Sequence, residues 1–314
     1  NIKTSIRDYS SNVLTKYPRD HKFYTDTSDM YVWYKFNEDF NDSSGNGNDA
    51  TDFNAPTFDS SLNIEGTHSV SFTGGTKDST TSSYLTVPST NFSLWDGFTV
   101  SCWVMFENDA YYGKIIDFGD GADSNNIYIS RHNTSNNIVV SIRGVGIDKV
   151  WHYFEDVIIN NTWMHIVFSM LKSPVTWNTY INGALKTPTT VTGTIRWPAN
   201  TAYNYCYIAK SNWTGVDAYF KGKIDDFRIY NRALTPEEVS ILYQPKLIEF
   251  RVEQSSDFYT DTTDMLAWYK FDGDGNDSSG NGNHLTYHTL DPSTGSTITA
   301  LTPLFTTEDS ITGT

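Results

Sequence analysis

Apolar and polar residues alternate along most of this chain with a period of two, the spacing of strands that turn one face to a core. In "FTVSCWVMF", Phe98, Val100, Cys102, Val104 and Phe106 fall on one side, and Thr99, Ser101, Trp103 and Met105 on the other. Similar strands are expected in "SVSF", "YLTVP", "GKIIDFG", "NIYIS", "NIVVSIRG", "WMHIVFSML", "WNTYING", "CYIAKS" and "GKIDDFRIYN". Turn pairs such as Gly74-Gly75, Asp120-Gly121 and Asn182-Gly183 separate them. So many short strands predict an all-β fold, a two-sheet antiparallel jelly-roll sandwich. One short helix is expected near the end of this region. "TPEEVSILY" offers Thr235 as N-cap, Pro236 at the first helical position and two glutamates in the first turn.

The pattern then repeats. "FYTDTSDMYVWYKFNEDFNDSSGNGNDAT" from Phe23 and "FYTDTTDMLAWYKFDGDGNDSSGNGNHLT" from Phe258 agree at 21 of 29 positions, 235 residues apart. That period suits a whole domain rather than a solenoid unit. The expected organisation is a linker over 1–23, one domain over 24–243, a linker over 244–258 and the start of a second copy over 259–314. In the second copy, "MLAWYKF" presents an apolar face that invites self-association through the incomplete repeat.

Composition narrows the partners. Net charge is −15, unevenly spread, with 22 Lys/Arg against 37 Asp/Glu. Such a surface repels phosphate backbones, so nucleic acid is not an expected partner, and neither are anionic membranes. No apolar run is long enough to cross a bilayer. The chain opens on Asn1 without an apolar signal segment, and a mature product or fragment is expected. N-x-S/T sequons at Asn41, Asn91, Asn133, Asn160, Asn212 and Asn276 permit an extracellular setting. The two cysteines, Cys102 and Cys206, allow either a cross-strand disulfide or two buried thiols.

Three stretches in fixed order resemble the laminin-G-like jelly-roll domains, relatives of the concanavalin A-like lectins and the pentraxins. They are "WYKFNEDFNDSSGNGNDAT", "NTWMHIVFSMLKSPVTWNTYINGALKT" and "FKGKIDDFRIYNRALTPEEVSILY". The resemblance covers about residues 24–243 and restarts at 259. It implies the fold firmly and function weakly, because this fold carries lectins, adhesion modules, enzymes and structural proteins alike. A pentraxin-type disulfide does not carry over, since the strand that would hold the partner cysteine reads "MHIVFSM".

Two constellations are candidates for chemistry. Asp42, Asn46 and Asn48 crowd a loop with two glycines, and hard oxygens on such a loop suit structural calcium. Domains resembling this one often hold calcium at the sandwich rim. Asp225 in "KIDDF", expected on the same side as Phe227 and Ile229, would be a further ligand. The alternative is that Asp42 and Asp225 tie down turn amides. "DFGDGAD", with Asp117, Asp120 and Asp123, is a weaker rim site; "FDGDGND" lacks the glycine and helices of an EF-hand. The second constellation is aromatic: Tyr111, Tyr112, Trp151, Tyr153, Trp213 and Tyr219 fall in or beside expected loops. Flat rings flanked by Asn and Asp suit sugars, the ring covering C–H groups while the polar groups take hydroxyls.

Enzyme signatures do not appear. "ENDAYY" from Glu107 lacks the last glutamate of the glucanase strand motif, His165 has no neighbouring nucleophile, and His21, His132 and His152 are scattered singly. The expected function is therefore a non-catalytic binding or adhesion module of a larger repetitive extracellular or surface protein, recognising glycan or protein. A structural subunit of a virion surface or extracellular filament is the main rival, and an appendage of a glycoside-active enzyme the third.

Overall fold

The expected strands pair into two antiparallel sheets of eight strands each, which face one another across an apolar core. The structure is a computed structural model that describes residues 21–107, 110–144, 149–243, 265–270 and 276–285, with the two-residue strands Thr289–Leu290 and Thr297–Ile298. The chain divides into two units, Asn1–Leu247 and Ile248–Thr314, and the sandwich lies in the first. Across its first sheet the strands are Ala184–Lys186, Val175–Ile181, Trp163–Lys172, Gly97–Phe106, Tyr219–Tyr230, Ser69–Gly75 and Thr57–Asp59. Met30–Tyr34 pairs with the far half of Tyr219–Tyr230. Across the second they are Thr190–Thr192, Val150–Phe154, Ile138–Ile142, Ile127–Arg131, Lys114–Gly119, Tyr205–Ile208, Tyr84–Val87 and Thr51–Phe53.

Alternation sets what each strand buries. Val100, Cys102, Val104 and Phe106 join Ile116, Phe118, Ile129, Val140 and Ile208 between the sheets. Each fully buried Val, Ile or Phe side chain contributes about 1.5–3 kcal/mol through removal of apolar surface from water. The two cysteines are buried free thiols, one in each sheet, and burial pushes Cys102 up to about 12.

The opposite face of the first sheet is also covered, so all ten residues of Gly97–Phe106 are buried. A second apolar cluster there joins Tyr24, Met30, Trp33, Tyr180 and Tyr230 to Leu234, Val239 and Leu242 around the helix Pro236–Tyr243. That helix starts as its residues require: the Glu238 N–H donates to Thr235 Oγ1 (3.3 Å), and the Thr235 N–H donates to Glu238 Oε2 (2.8 Å). Within this cluster Asp226 and Arg228 form a buried ion pair, Nε to Oδ1 at 2.9 Å. Trp33 Nε1 (2.7 Å) and Tyr24 OH (3.2 Å) also donate to Asp226, and the guanidinium lies 4.1 and 4.3 Å from the Tyr24 and Trp33 ring centres.

Here one expectation is corrected. Asp225 does not share a side with Phe227 and Ile229. The register against Gly97–Phe106 shifts between Asp225 and Arg228, where Asp226 takes φ +46°, and this bulge inserts one residue. Asp225 stands opposite Trp103, away from the core, while Phe227 and Ile229 belong to it.

Where both copies are described, the repeated line folds alike. Asp42 Oδ1 accepts from the N–H groups of Trp33 and Ser44, both at 2.9 Å, and Oδ2 from the Asn48 N–H at 3.1 Å. Asp277 makes the same contacts with Trp268 (2.8 Å), Ser279 (2.8 Å) and Asn283 (3.0 Å). Gly45 and Gly280 each take φ +90°, a conformation that side chains with a Cβ rarely adopt. In each copy the loop is fixed by its own side chain to backbone bonds.

Candidate functional site

The calcium candidates do not converge. All four bonding positions of Asp42 are taken: besides the three amides, Ser44 Oγ donates to Oδ2 at 2.7 Å. Asn46 and Asn48 turn their NH2 groups inward, donating to the carbonyls of Met30 (2.7 Å) and Tyr31 (2.9 Å). Asp225 is bound into another loop, where it accepts from Ile64 (2.6 Å), Glu65 (2.9 Å) and Asp226 (2.7 Å) N–H groups. Calcium needs six to eight oxygens pointing at one centre. Here the carboxylates already accept from N–H and O–H groups and the two Asn side chains present NH2 groups, so these four residues do not fit the ion. Asp117, Asp120 and Asp123 likewise serve Asn212, Asn204 and Arg143, and among the described residues no three acidic, His or Cys side chains group to hold a metal.

The aromatic candidates do converge, on the outer face of the second sheet. Trp151 and Tyr153 are not loop residues: they project from Val150–Phe154, a strand the sequence reading passed over, with ring centres 5.4 Å apart. His132 sits beside both, at 6.2 and 4.9 Å, and meets Tyr112 at 5.3 Å. Tyr111 stands edge-on to Tyr112 at 4.8 Å and is 47 % exposed. The Tyr112 N–H donates to the Asn133 carbonyl (3.1 Å), which pins this turn against the hairpin that carries His132. Burial pulls the His132 pKa below its ordinary value, so the ring is neutral at pH 7 and offers both a donor and an acceptor.

Trp213 enters from the loop that folds back over the sheet. Asn212 anchors that loop through its N–H to Asp117 Oδ2 (2.9 Å) and its side-chain amide to Asp117 Oδ1 (3.0 Å). The sequon at Asn212 is thereby consumed in a buried hydrogen-bond network. Arg143 lies between the two halves of the cluster, 4.8 Å from the Trp213 ring and 5.4 Å from Trp151, and pairs with Asp123. Lys114, buried, lies 4.4 Å from the Tyr128 ring and 5.4 Å from those of Tyr112 and Trp213, and pairs with Asp217 at 2.9 Å.

Five of the six anticipated rings therefore meet at one place. Tyr219 does not join them; its ring neighbour is Tyr84 at 6.2 Å. Sequence reasoning missed His132, Tyr128, Arg143 and Lys114. Tyr128 had a signal, since it alternates against the core residues Ile127 and Ile129. The arrangement offers ring faces and edges with the His132 imidazole and the Arg143 guanidinium between them, chemistry that suits a polyol. His165 lies elsewhere, fully buried against Ser101 Oγ (2.9 Å) under Trp103 and Tyr243.

Solved structures are similar to this chain. Domain 4 of an extracellular GH43 arabinanase from Geobacillus stearothermophilus, in complex with arabinotriose, is 23 % identical over 68 % of this chain and 98 % of its own, at a TM-score of 0.48. The binding domain of botulinum neurotoxin DC matches in two complexes, with 69 % of this chain covered in each. With SialylT the identity is 13 % and the TM-score 0.51; with rat synaptotagmin II they are 14 % and 0.50. The chain spans about half the length of these toxin domains, 51 and 52 %. At such identities the likeness to the toxin domains is one of fold. Among curated protein sequences no relative matches. The family model for Laminin_G_3, the concanavalin A-like lectin/glucanases superfamily, matches residues 78–240, just over half of the chain, and the chain belongs to that superfamily.

Proposed function

We propose that the sandwich is a non-catalytic binding module that recognises glycan through the outer face of its second sheet, in an extracellular or surface protein. The observation that carries this reading is the meeting of Tyr111, Tyr112, His132, Trp151 and Tyr153 around one another, with Arg143 alongside Trp151. These residues come from separate strands and turns, and partial exposure leaves ring surface for a ligand. Rings of this kind supply stacking area at low entropic cost, and the flanking donors read hydroxyl geometry. The SialylT complex of a toxin domain of the same fold supports a glycan as the ligand. The synaptotagmin complex keeps a protein ligand as the second reading. A catalytic role gains no support from the cluster, whose neutral histidine faces rings rather than a nucleophile.

A glycan array probed with the full chain tests this. Binding to a chemically related set of glycans is expected, with the same spots lost in Trp151→Ala at an unchanged melting temperature. Signals that persist in Trp151→Ala contradict the assignment of the face.

A further inference from the structure

Tyr219, set apart from the first cluster on a strand of the first sheet, meets Tyr84 at 6.2 Å, and Tyr84 belongs to a second ring cluster on the second sheet. Phe53 and Tyr84 stack with ring centres 4.6 Å apart and planes 1° from parallel; Tyr207 meets Tyr84 edge-on at 5.8 Å. Tyr205 stacks on Tyr207 at 6.4 Å. Phe53 and Tyr205 are 39 and 49 % exposed, unusual for rings that are this well grouped. Over them lies Lys210, its ammonium 4.1 Å from the centre of Tyr84 and 4.4 Å from that of Tyr207.

The charge of Lys210 sets this cluster apart. In the first cluster the buried cations have their carboxylates, Lys114 with Asp217 and Arg143 with Asp123. Lys210 is half-buried on two ring faces, and among the described residues no carboxylate pairs with it. Burial lowers its pKa, and no acidic neighbour opposes that shift. A partly desolvated ammonium without a counter-ion gains most from an incoming carboxylate.

Sheet register relates the two clusters. Tyr207 is the cross-strand partner of Asp117, Asp117 of Tyr128, Tyr128 of Ser141 and Ser141 of Trp151. Partners in a row project from the same face. Tyr207 and Trp151 thus stand four strand spacings apart, about 19 Å at 4.7–4.9 Å each. The loop anchored on Asp117 rises between them, which leaves two platforms separated by several sugar rings.

We propose that Tyr84, Tyr207 and Lys210 form a second glycan subsite that takes a carboxylated sugar, on the same oligosaccharide that reaches Trp151 and Tyr153. This rests on the glycan reading of the first cluster. The net charge of −15 argues against a polyanion, so the ligand carries one or few carboxylates on an otherwise uncharged chain. At physiological ionic strength the more distant charges are screened beyond about 8 Å, whereas direct contact with Lys210 is not. Two linked subsites raise affinity for ligands long enough to span them by about 10²-fold or more over ligands that fill one, and the carboxylate contact with Lys210 supplies about 10-fold of that.

The test is calorimetric titration of the full chain with a mono-sialylated biantennary N-glycan and with the same glycan after desialylation. Wild type is expected to bind the sialylated form about 10-fold tighter. Lys210→Met should abolish that preference, keep the affinity for the desialylated form and melt as wild type does. Trp151→Ala should weaken both forms alike. A preference that survives Lys210→Met, or equal binding of both forms by wild type, overturns the second subsite and leaves the first standing. Affinities that ignore Trp151→Ala, or no binding of either form, overturn the glycan reading itself and the second subsite with it.

Discussion

Replacing Asp226 by alanine should destabilise the sandwich far more than the loss of one surface ion pair. Arg228 is fully buried and Asp226 only 3 % exposed, with Nε and Oδ1 2.9 Å apart. Without Asp226 the guanidinium stays buried without a counter-charge, and the Trp33 Nε1–H and Tyr24 O–H lose their acceptor. Breaking a buried pair from one side costs about 3–5 kcal/mol. Arg228→Met leaves the carboxylate with two of its side-chain donors and should cost less, about 2–3 kcal/mol, the scale of a charged hydrogen bond. The double variant should cost less than the sum of the singles, because a buried pair exchanged for apolar groups is often close to neutral. Urea unfolding followed by tryptophan fluorescence reads all three. Asp226→Ala should lower the midpoint by about 1 M or more at slopes of roughly 1–3 kcal/mol/M. Singles that each cost under about 1 kcal/mol, or that simply add, refute the pair as the tie between the Tyr24–Trp33 segment and the sheet.

Calcium at millimolar concentration, or its removal by chelator, is expected to leave the melting temperature unchanged, because Asp42 and Asp225 are already filled by N–H and O–H donors; a calcium-dependent rise contradicts that reading. Asp42→Ala should cost about 1–3 kcal/mol by stranding those donors, measured by the same urea titration. Burial pushes the Asp225 carboxyl up to about 7, against the pull of three amide donors, so the folded chain holds a proton there that the unfolded chain releases near 3.8. Its contribution to stability is therefore fullest below about pH 4 and falls as pH rises toward 7, and Asp225→Asn should flatten that slope in melts between pH 4 and 7.

The strands of the core were legible because their alternation is strict. Phe98 to Phe106 reads correctly residue by residue, as does the helix start at Thr235 with its reciprocal bonds to Glu238. The face opposite the core in Gly97–Phe106, with Thr99, Ser101, Trp103 and Met105, is buried as well, since helix and N-terminal segment cover it. The bulge at Asp226 left a mark, since the core residues Ile224 and Phe227 stand three apart and the alternation slips by one across Asp225-Asp226; the positive φ itself is held by tertiary bonds to Trp33 and Arg228. The rings at 111, 112, 151, 153 and 213 were recognisable as a type. Their meeting was not, since it depends on which residues the registers of Lys114–Gly119, Ile127–Arg131, Ile138–Ile142 and Val150–Phe154 bring level, and Trp213 arrives from a loop after Tyr205–Ile208, which pairs with Lys114–Gly119 out of chain order. His132 looked isolated for the same reason, although it stands at the centre of the cluster.

The central claim is that ligand lies against Trp151 on the outer face of the second sheet, and the nine tryptophans give a direct reporter of it. Indole N–H resonances of the 15N-labelled full chain are followed by NMR while a glycan identified on the array is added. The account predicts that the Trp151 and Trp213 resonances shift and saturate together, while those of the buried Trp33, Trp103 and Trp177 stay in place. Saturating shifts confined to the buried tryptophans, or absent from Trp151, would contradict it.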